Sequence, residues 1–302
     1  MSLQFLADGL IAGCTIALGA VGITLTYAIL RFANFAHGEF ISWGAYLTWC
    51  LAGAIGTWST ATASALDPLS VGWNVVVAGV LAMVLTGLLA IALDAVLFRP
   101  LRNRGASITA VMASFGAAMA LRALIELLFS SRPAYLSQEL QIAIPIGAGM
   151  RVTPDQIALV AVTALCVAAL HVLLRYTGIG RSMRAVSENP ALARVVGIDV
   201  SRVIRLTWFI GGALACASGV MLGLVVQMRP SMGAELLLPL FAAAILGGVG
   251  SVPGALIGGL IVGLAEAATV QLVGAEWRAA VAFLVLIAVL LVRPAGIFGQ
   301  AA

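Results

Sequence analysis

Residues 240–264 read LFAAAILGGVGSVPGALIGGLIVGL, an apolar run without a single charged residue and with a glycine-rich interruption near its centre. A helix needs about 20 predominantly apolar residues to cross a lipid bilayer, and this run is long enough to do so. The interruption at 246–254 permits two interpretations. It is either a break in one helix inside the membrane, where irregular backbone must be buried in protein or line a cavity, or a turn between two helices outside it.

The whole chain has the composition of a membrane protein. Of its 302 residues, 62% are hydrophobic and only 9% are charged, whereas soluble domains carry about 25% charged residues. The first residues have no basic region and include Asp8, so we expect the first apolar run to be a retained span rather than a cleaved signal peptide. We therefore predict an all-α integral membrane protein with a single transmembrane domain over residues 1–302.

Hydropathy predicts about eight transmembrane helices, some of them discontinuous. Two of the apolar regions, 40–58 and 237–273, look broken. The clear candidates are 5–30, 75–98, 107–130, 155–175, 206–227 and 279–293. Glycines inside the segments 211–219 and 254–263 let helices approach closely, and we expect this packing to occur within the chain rather than between two copies.

The arginines predict the orientation of the chain, because short loops rich in arginine lie in the cytoplasm. Two such segments are 99–105, with Arg99, Arg102 and Arg104, and 175–205. The loops 57–74 and 131–154 are then extracytoplasmic, which places the N-terminus outside and the C-terminus in the cytoplasm.

The cytoplasmic segment 176–205 predicts a short helix. Asn189 followed by Pro190 is a typical helix start, and Gly197 stands where a C-terminal cap belongs. One face of this helix would be apolar, with Leu192, Val195 and Val196. Such a face fits either a protein partner or the surface of the bilayer.

Sequence motifs for catalysis are absent. The chain contains no GxxxxGK[ST] loop, no HExxH motif and no CxxC pair. We therefore expect no enzymatic activity, no catalytic residue, no metal or other cofactor and no nucleic-acid partner.

Charged residues inside the spans are few. Arg122 and Glu126 are four residues apart, and we expect them to form a structural pair on one helix face. Glu266 stands alone, and its role is open. Charges at membrane depth are rare and often functional.

The stretch RFANFAHGEF, residues 31–40, places His37 and Glu39 between two apolar runs. Histidine and glutamate inside a membrane suggest a proton relay. Arg31, however, ends a span on the predicted cytoplasmic side, so we expect the two side chains to be hydrated or paired with backbone at a helix start. Asn34 would cap that helix, with Glu39 in its early turns. A structural or gating role is therefore favoured over direct contact with a solute.

Four blocks of the sequence, spread from near residue 9 to near residue 299, resemble one known family. They are LRFANFAHGEFISWGAY (30–46), GRSMRAVSENPALARVVGIDVSRV (180–203), ILGGVGSVPGALIGG (245–259) and VRPAGIFG (292–299). The chain is similar to the permease subunits of high-affinity branched-chain amino acid ABC transporters, the LivH-type family. Ile16 is a departure, because relatives often have an aromatic residue in the first span.

The resemblance implies a permease of the bacterial inner membrane that belongs to a binding-protein-dependent importer. Its partners would be a second related permease, two cytoplasmic ATPase subunits, an extracytoplasmic solute-binding protein and membrane lipid. Branched-chain amino acids are the expected substrates, with urea, short amides and other small amino or organic acids as alternatives within the family. A carrier or channel that works alone is the competing class, and the shortage of carboxylates in the spans disfavours it.

The resemblance also implies roles for particular residues. The segment 188–197 resembles the coupling helix that docks on an ATPase, with Glu188, Asn189, Pro190, Leu192, Arg194 and Gly197 as its candidate residues. Candidate gate or pathway residues are Asn34, His37, Gly38, Glu39, Gly247, Gly248, Gly250 and Gly254.

Overall fold

The structure is a computed structural model that describes residues 3–58, 64, 66–102, 107–137, 141–147, 149–293 and 295–299. These ranges contain eleven helices and one short β-hairpin, which confirms the all-α prediction. The predicted loop residue Arg104 lies outside them. The helices are α1 (Gln4–Leu30), α2 (His37–Trp58), α3 (Trp73–Arg102), α4 (Ser107–Phe129), α5 (Pro154–Tyr176), α6 (Gly178–Glu188), α7 (Pro190–Val195), α8 (Val200–Val225), α9 (Met232–Gly247), α10 (Val252–Leu272) and α11 (Ala275–Val292). The strands are β1 (Ile144–Gly147) and β2 (Met150–Val152).

Seven of the described helices are long and apolar enough to cross a membrane, namely α1, α3, α4, α5, α8, α10 and α11. The two regions that looked broken in the sequence form helices of a different kind. Helix α2 is continuous over 22 residues and largely buried, and α9 has only 16 residues. The apolar run 237–273 therefore belongs to two separate helices.

Helix α1 lies in the interior of the bundle, and 89% of the residues in its most apolar 18-residue stretch are buried. It contacts α10, α8 and α9, while α2 lies between α8, α3 and α9. Helices α4, α5 and α11 are peripheral and expose most of their apolar residues. In lipid the outer face of a helix is as apolar as its packed face, so hydropathy alone does not distinguish inner helices from outer ones.

Small residues join α1 to α10. A methyl group added to Gly259 of α10 would lie 2.5 Å from the Cα atom of Ala17 in α1, and one added to Gly13 would lie 2.9 Å from the Cα atom of Leu260. The backbones are thus too close for a larger side chain. The expectation that the glycine-rich segment 254–263 packs within the chain is confirmed.

The interruption at 246–254 is a turn between two helices. Helix α9 ends at Gly247, and Gly248 and Gly250 have φ angles of +96° and +95°, which favour glycine. Helix α10 then begins at Val252 after Ser251, whose Oγ accepts a hydrogen bond from the Gly254 N–H at 3.1 Å. Of the two interpretations of this run, the break within one helix is wrong.

Several basic segments meet at one end of the bundle, which we call the arginine-rich end. Arg31 closes α1 and donates a hydrogen bond to the Ser187 carbonyl at 2.8 Å, which brings α6 to the end of α1. The turn 248–251 lies at this end too, because a methyl group on Gly250 would lie 3.8 Å from the Cβ atom of Ala28. The C-terminal residues also reach it, and the Ile297 N–H donates to the Leu246 carbonyl at 2.8 Å.

The opposite end collects the loops that the sequence predicts to be extracytoplasmic. The side chain of Gln4 donates a hydrogen bond to the Arg151 carbonyl at 2.9 Å, which ties the start of α1 to β2. Ser70 donates to the buried carboxylate of Asp155, and Ala134 pairs with Met228 across an antiparallel bridge. The two groups of loops are therefore separated along the bundle in the way that the arginine pattern predicts.

Candidate functional site

The start of α2 is built by the motif at 31–40. Arg31 adopts a left-handed conformation with a φ angle of +55° and ends α1, and the chain is then non-helical until His37. The Asn34 Oδ1 atom accepts a hydrogen bond from the Ala36 N–H at 3.1 Å. This hydrogen bond orders the turn before α2 and involves no N–H of the helix itself, so Asn34 does not cap the helix as predicted. Glu39 lies in the first turn of α2, as expected.

The start of α2 lies inside the bundle rather than at its surface. A methyl group on Gly22 would lie 2.8 Å from the Cε1 atom of His37. Gly22 precedes the end of α1 at Leu30 by about two helical turns, or roughly 12 Å. His37 and Glu39 are each only 1% exposed, so of the two environments expected for them, hydration or pairing with backbone, hydration is wrong. The reason is that residues 32–36 lead into the bundle, with Phe32 against Phe98 and Phe35 against Phe115, a tertiary arrangement that hydropathy does not report.

A second helix begins at the same place. The Gly233 N–H, in the first turn of α9, donates a hydrogen bond to the Ser42 Oγ atom at 3.0 Å, and Ser42 donates to the Pro230 carbonyl at 3.3 Å. A methyl group on Gly38 would lie 2.5 Å from the Gly233 carbonyl oxygen. Helices α2 and α9 therefore both start within the bundle and cross at these two glycines. Helix ends at membrane depth are a feature of many solute carriers.

We predict that Gly38→Ala weakens this crossing. The added methyl group would overlap backbone that cannot move aside, and overpacking of this kind costs about 1–3 kcal/mol. The expected result is a lower melting temperature of the purified protein in detergent. The matched control is Gly53→Ala on the same helix, where no atom lies within 4 Å of the added group and alanine favours the helix. Equal melting temperatures for the two variants would contradict the close crossing.

Glu39 forms an ion pair with α4. The Arg122 guanidinium donates to the Glu39 Oε1 atom at 3.0 Å, and the Oε2 atom of Glu39 has no partner among the described residues. The prediction that Arg122 pairs with Glu126 on its own helix is therefore wrong. Glu126 is exposed on α4. The buried carboxylate of Glu39 would cost much more free energy without a cationic partner.

The geometry does not support a proton relay between His37 and Glu39. Residues two apart on a helix point to different faces. The His37 ring faces Gly22 in α1, while the Glu39 carboxylate faces α4. The two side chains thus belong to separate contacts of the same helix start.

Two ion pairs with buried acidic members were not predicted from the sequence. Asp94 lies in a π-helical turn of α3 and accepts two hydrogen bonds from Arg102, at 2.6 and 3.1 Å. Glu266, whose role was open, pairs with Arg278 at 2.6 Å and thereby joins α10 to α11. The signal for the first pair was an acidic residue in the apolar run 75–98 with an arginine about two turns later.

Helix α7 has the predicted capped structure. The Asn189 side chain accepts hydrogen bonds from the N–H groups of Ala191 and Leu192, both at 3.0 Å, and Pro190 is the first helical residue. Gly197 has a φ angle of +85°, which suits its position after the helix. Ala193 is buried against the bundle. The apolar side chains of Leu192, Val195 and Val196 are 60%, 83% and 67% exposed.

The structure brings the candidate residues together in three groups. Asn34, His37, Gly38 and Glu39 surround the start of α2 inside the bundle. The glycines at positions 247, 248, 250 and 254 form the α9–α10 turn at the arginine-rich end. Glu188, Asn189, Pro190, Leu192, Arg194 and Gly197 lie on or beside α7 at that same end.

Closely packed apolar helices, two helix starts inside the bundle and an exposed helix at one end define a multi-pass membrane protein of the transport-permease class. Comparison with known sequences identifies the family of the chain. The chain belongs to the family described as branched-chain amino acid transport system, permease component, which matches residues 5–290.

Curated relatives span nearly the whole chain. The high-affinity branched-chain amino acid transport system permease protein LivH of Escherichia coli is 34% identical over 99% of this chain and 96% of its own length. The corresponding protein BraD of Pseudomonas aeruginosa is 33% identical, with the same coverage. The probable branched-chain amino acid transport permease LivH of Methanocaldococcus jannaschii is 27% identical over 98% of this chain and 92% of its own length. The resemblance noted in the sequence is confirmed, and the chain is a transport subunit rather than an enzyme.

Proposed function

We propose that the chain forms one half of the transmembrane pathway of a bacterial inner-membrane importer for branched-chain amino acids. The observation that supports this substrate is the full-length similarity to LivH and BraD, which are named for branched-chain amino acid transport. A second related permease, two cytoplasmic ATPases, an extracytoplasmic binding protein and membrane lipid complete the proposed assembly. Residues 1–302 act as one permease domain.

Helix α7 is the proposed contact with an ATPase subunit. Its exposed face is apolar, and its two caps fix its conformation without any partner. A short preformed helix with an apolar face is suited to insertion into a groove of another protein. Glu188, Asn189, Pro190, Leu192, Arg194 and Gly197 would form this contact or hold its shape.

The two helix starts that cross at Gly38 and Gly233 are the proposed gate region. They lie inside the bundle. The ion pair between Glu39 and Arg122 links the start of α2 to the peripheral helix α4. A change at α7 would reach this region through α6 and α1, since Arg31 joins these two helices beside residues 32–36. The α9–α10 turn also lies at the arginine-rich end, where the C-terminal residues contact it, and it would move together with α7.

We propose that the arginine-rich end is cytoplasmic, with the N-terminus outside and the C-terminus inside. The prediction is tested with single cysteines in a chain whose four native cysteines are replaced by alanine. Val195→Cys and Ile142→Cys are a matched pair, because the native side chains are 83% and 89% exposed at opposite ends. A membrane-impermeant thiol reagent added to intact spheroplasts should label Ile142→Cys only. The reverse pattern would invert the topology.

The proposed function is tested by uptake into proteoliposomes that contain the permease with its partner subunits. Accumulation of radiolabelled L-leucine should require ATP inside and the binding protein outside. Uptake of leucine by this chain without any ATPase would favour the stand-alone carrier. Selective uptake of urea or acetamide by the complete assembly would assign it to another branch of the family.

A further inference from the structure

A cavity of 290 Å³ lies near the end opposite the arginine-rich end, between the end of α8, the start of α9, α10 and the start of α11. One part of its wall is aliphatic, with Leu222, Val226 and Leu236. Another part is charged, with two arginines and three acids: Arg229, Arg278, Glu235, Glu266 and Glu276. The combination of an apolar wall with a few converging charged groups is typical of sites for small molecules, and the volume lies near the lower limit of about 300 Å³ for such sites.

Two charged groups on this wall lack full hydrogen bonding. The Glu266 side chain is 2% exposed, and its Oε2 atom accepts from the Arg278 Nε–H at 2.6 Å. Its Oε1 atom has no partner in the described part of the chain. Arg229 pairs with Glu235 through its Nη2 atom at 3.4 Å, but its Nε atom has no partner among the described residues either. A buried charged atom without a partner costs free energy. The cavity therefore presents an acceptor that lacks a donor and a donor that lacks an acceptor.

An α-amino acid carries a complementary group for each of the two atoms. Its ammonium group has three N–H donors for a carboxylate oxygen, and its carboxylate accepts charge-assisted hydrogen bonds from arginine. An aliphatic side chain would then face Leu222, Val226 and Leu236. A second cavity, of 310 Å³, shares Glu266 and Arg278, so this ion pair lies between the two spaces.

We propose that the 290 Å³ cavity binds a zwitterionic amino acid with an aliphatic side chain, with Glu266 receiving the ammonium group and Arg229 the carboxylate. The inference rests on the proposed function and adds to it a site in the permease itself. The site would lie on the side where the chain is proposed to receive solute from the binding protein.

The first test uses the unmodified protein and three ligands. Tritiated L-leucine is bound to the complete transporter in lipid nanodiscs without the binding protein, and competitors are then added. L-leucinol lacks the carboxylate and 4-methylpentanoate lacks the ammonium group, so each should compete at least about 10-fold more weakly than L-leucine. Equal competition by either compound would overturn the assignment. The absence of saturable leucine binding to a transporter that takes up leucine would overturn the site and leave the proposed function intact.

The second test uses Glu266→Gln, which keeps the size of the side chain and removes its charge. We expect at least about a 10-fold weaker affinity for L-leucine. The matched control is Asp94→Asn, which neutralises another buried acid paired with arginine, at the arginine-rich end. Unchanged affinity in folded Glu266→Gln would contradict the proposal. If this variant does not fold, the ligand series on the unmodified protein decides the question. Failure of the unmodified transporter to take up leucine would instead refute the proposed function.

Discussion

Replacing Val195 with aspartate is expected to reduce both ATP-driven leucine uptake and substrate-stimulated ATP hydrolysis at least about 10-fold. The Val195 side chain is 83% exposed on α7, so the substitution removes little packing within the chain and should leave its folding unchanged. In the assembly the same position would be buried against the ATPase, where an unpaired carboxylate is costly. The few hot-spot residues near the centre of a protein interface contribute about 2 kcal/mol or more, which corresponds to about a 30-fold change in affinity.

The matched control for Val195→Asp is Ser201→Asp, which adds the same charge at an exposed position in the first turn of α8. A carboxylate is favourable at the start of a helix, so uptake should be close to that of the unmodified protein. Co-purification of the ATPase subunits with each variant shows whether the loss arises from docking. Normal uptake by Val195→Asp would remove α7 from the coupling interface.

The structure of helix α7 was predictable from sequence because it is local. Asn189, Pro190 and Gly197 determine where α7 begins and ends through backbone groups within a few residues of each side chain. The collection of arginine-rich segments at one end of the bundle was predictable for a related reason, since basic residues concentrate in short loops outside the bilayer. In both cases the decisive interaction does not depend on which helix lies next to which.

The candidate gate was less predictable because it depends on contacts between distant parts of the chain. Residues 32–36 are mostly apolar, but only the position of His37 beside Gly22 shows that the chain re-enters the bundle here. The partner of Glu39 is Arg122, about eighty residues later in the sequence, and helical spacing pointed instead to Glu126. In an apolar chain most surfaces can pack against most others, so the choice among helices is made by small residues and by a few buried charges.

Replacing Arg122 with methionine is expected to lower the melting temperature of the purified protein by at least about 5 °C. The substitution leaves the Glu39 carboxylate buried without its cationic partner, and breaking such a pair costs about 3–5 kcal/mol. Because Arg122 is itself one-third exposed, we expect the lower end of this range, and about 2–4 °C per kcal/mol is typical of larger domains. Arg229→Met is the matched control for the loss of an ion pair. Both members of that pair are about half exposed, so its removal should cost less than about 1 kcal/mol.

The double variant Glu39→Leu/Arg122→Met separates stability from gating. Replacing both members of a buried ion pair by apolar residues is often neutral or stabilising, so the melting temperature should recover most of the loss. If the charged pair also serves the proposed gate, leucine uptake should stay low in this stable variant, because the link that Glu39 makes between α2 and α4 no longer exists. A stable double variant with normal uptake would show that the pair serves folding alone. The proposed gate would then rest on the crossing of α2 and α9 at Gly38 and Gly233, where no charge is involved.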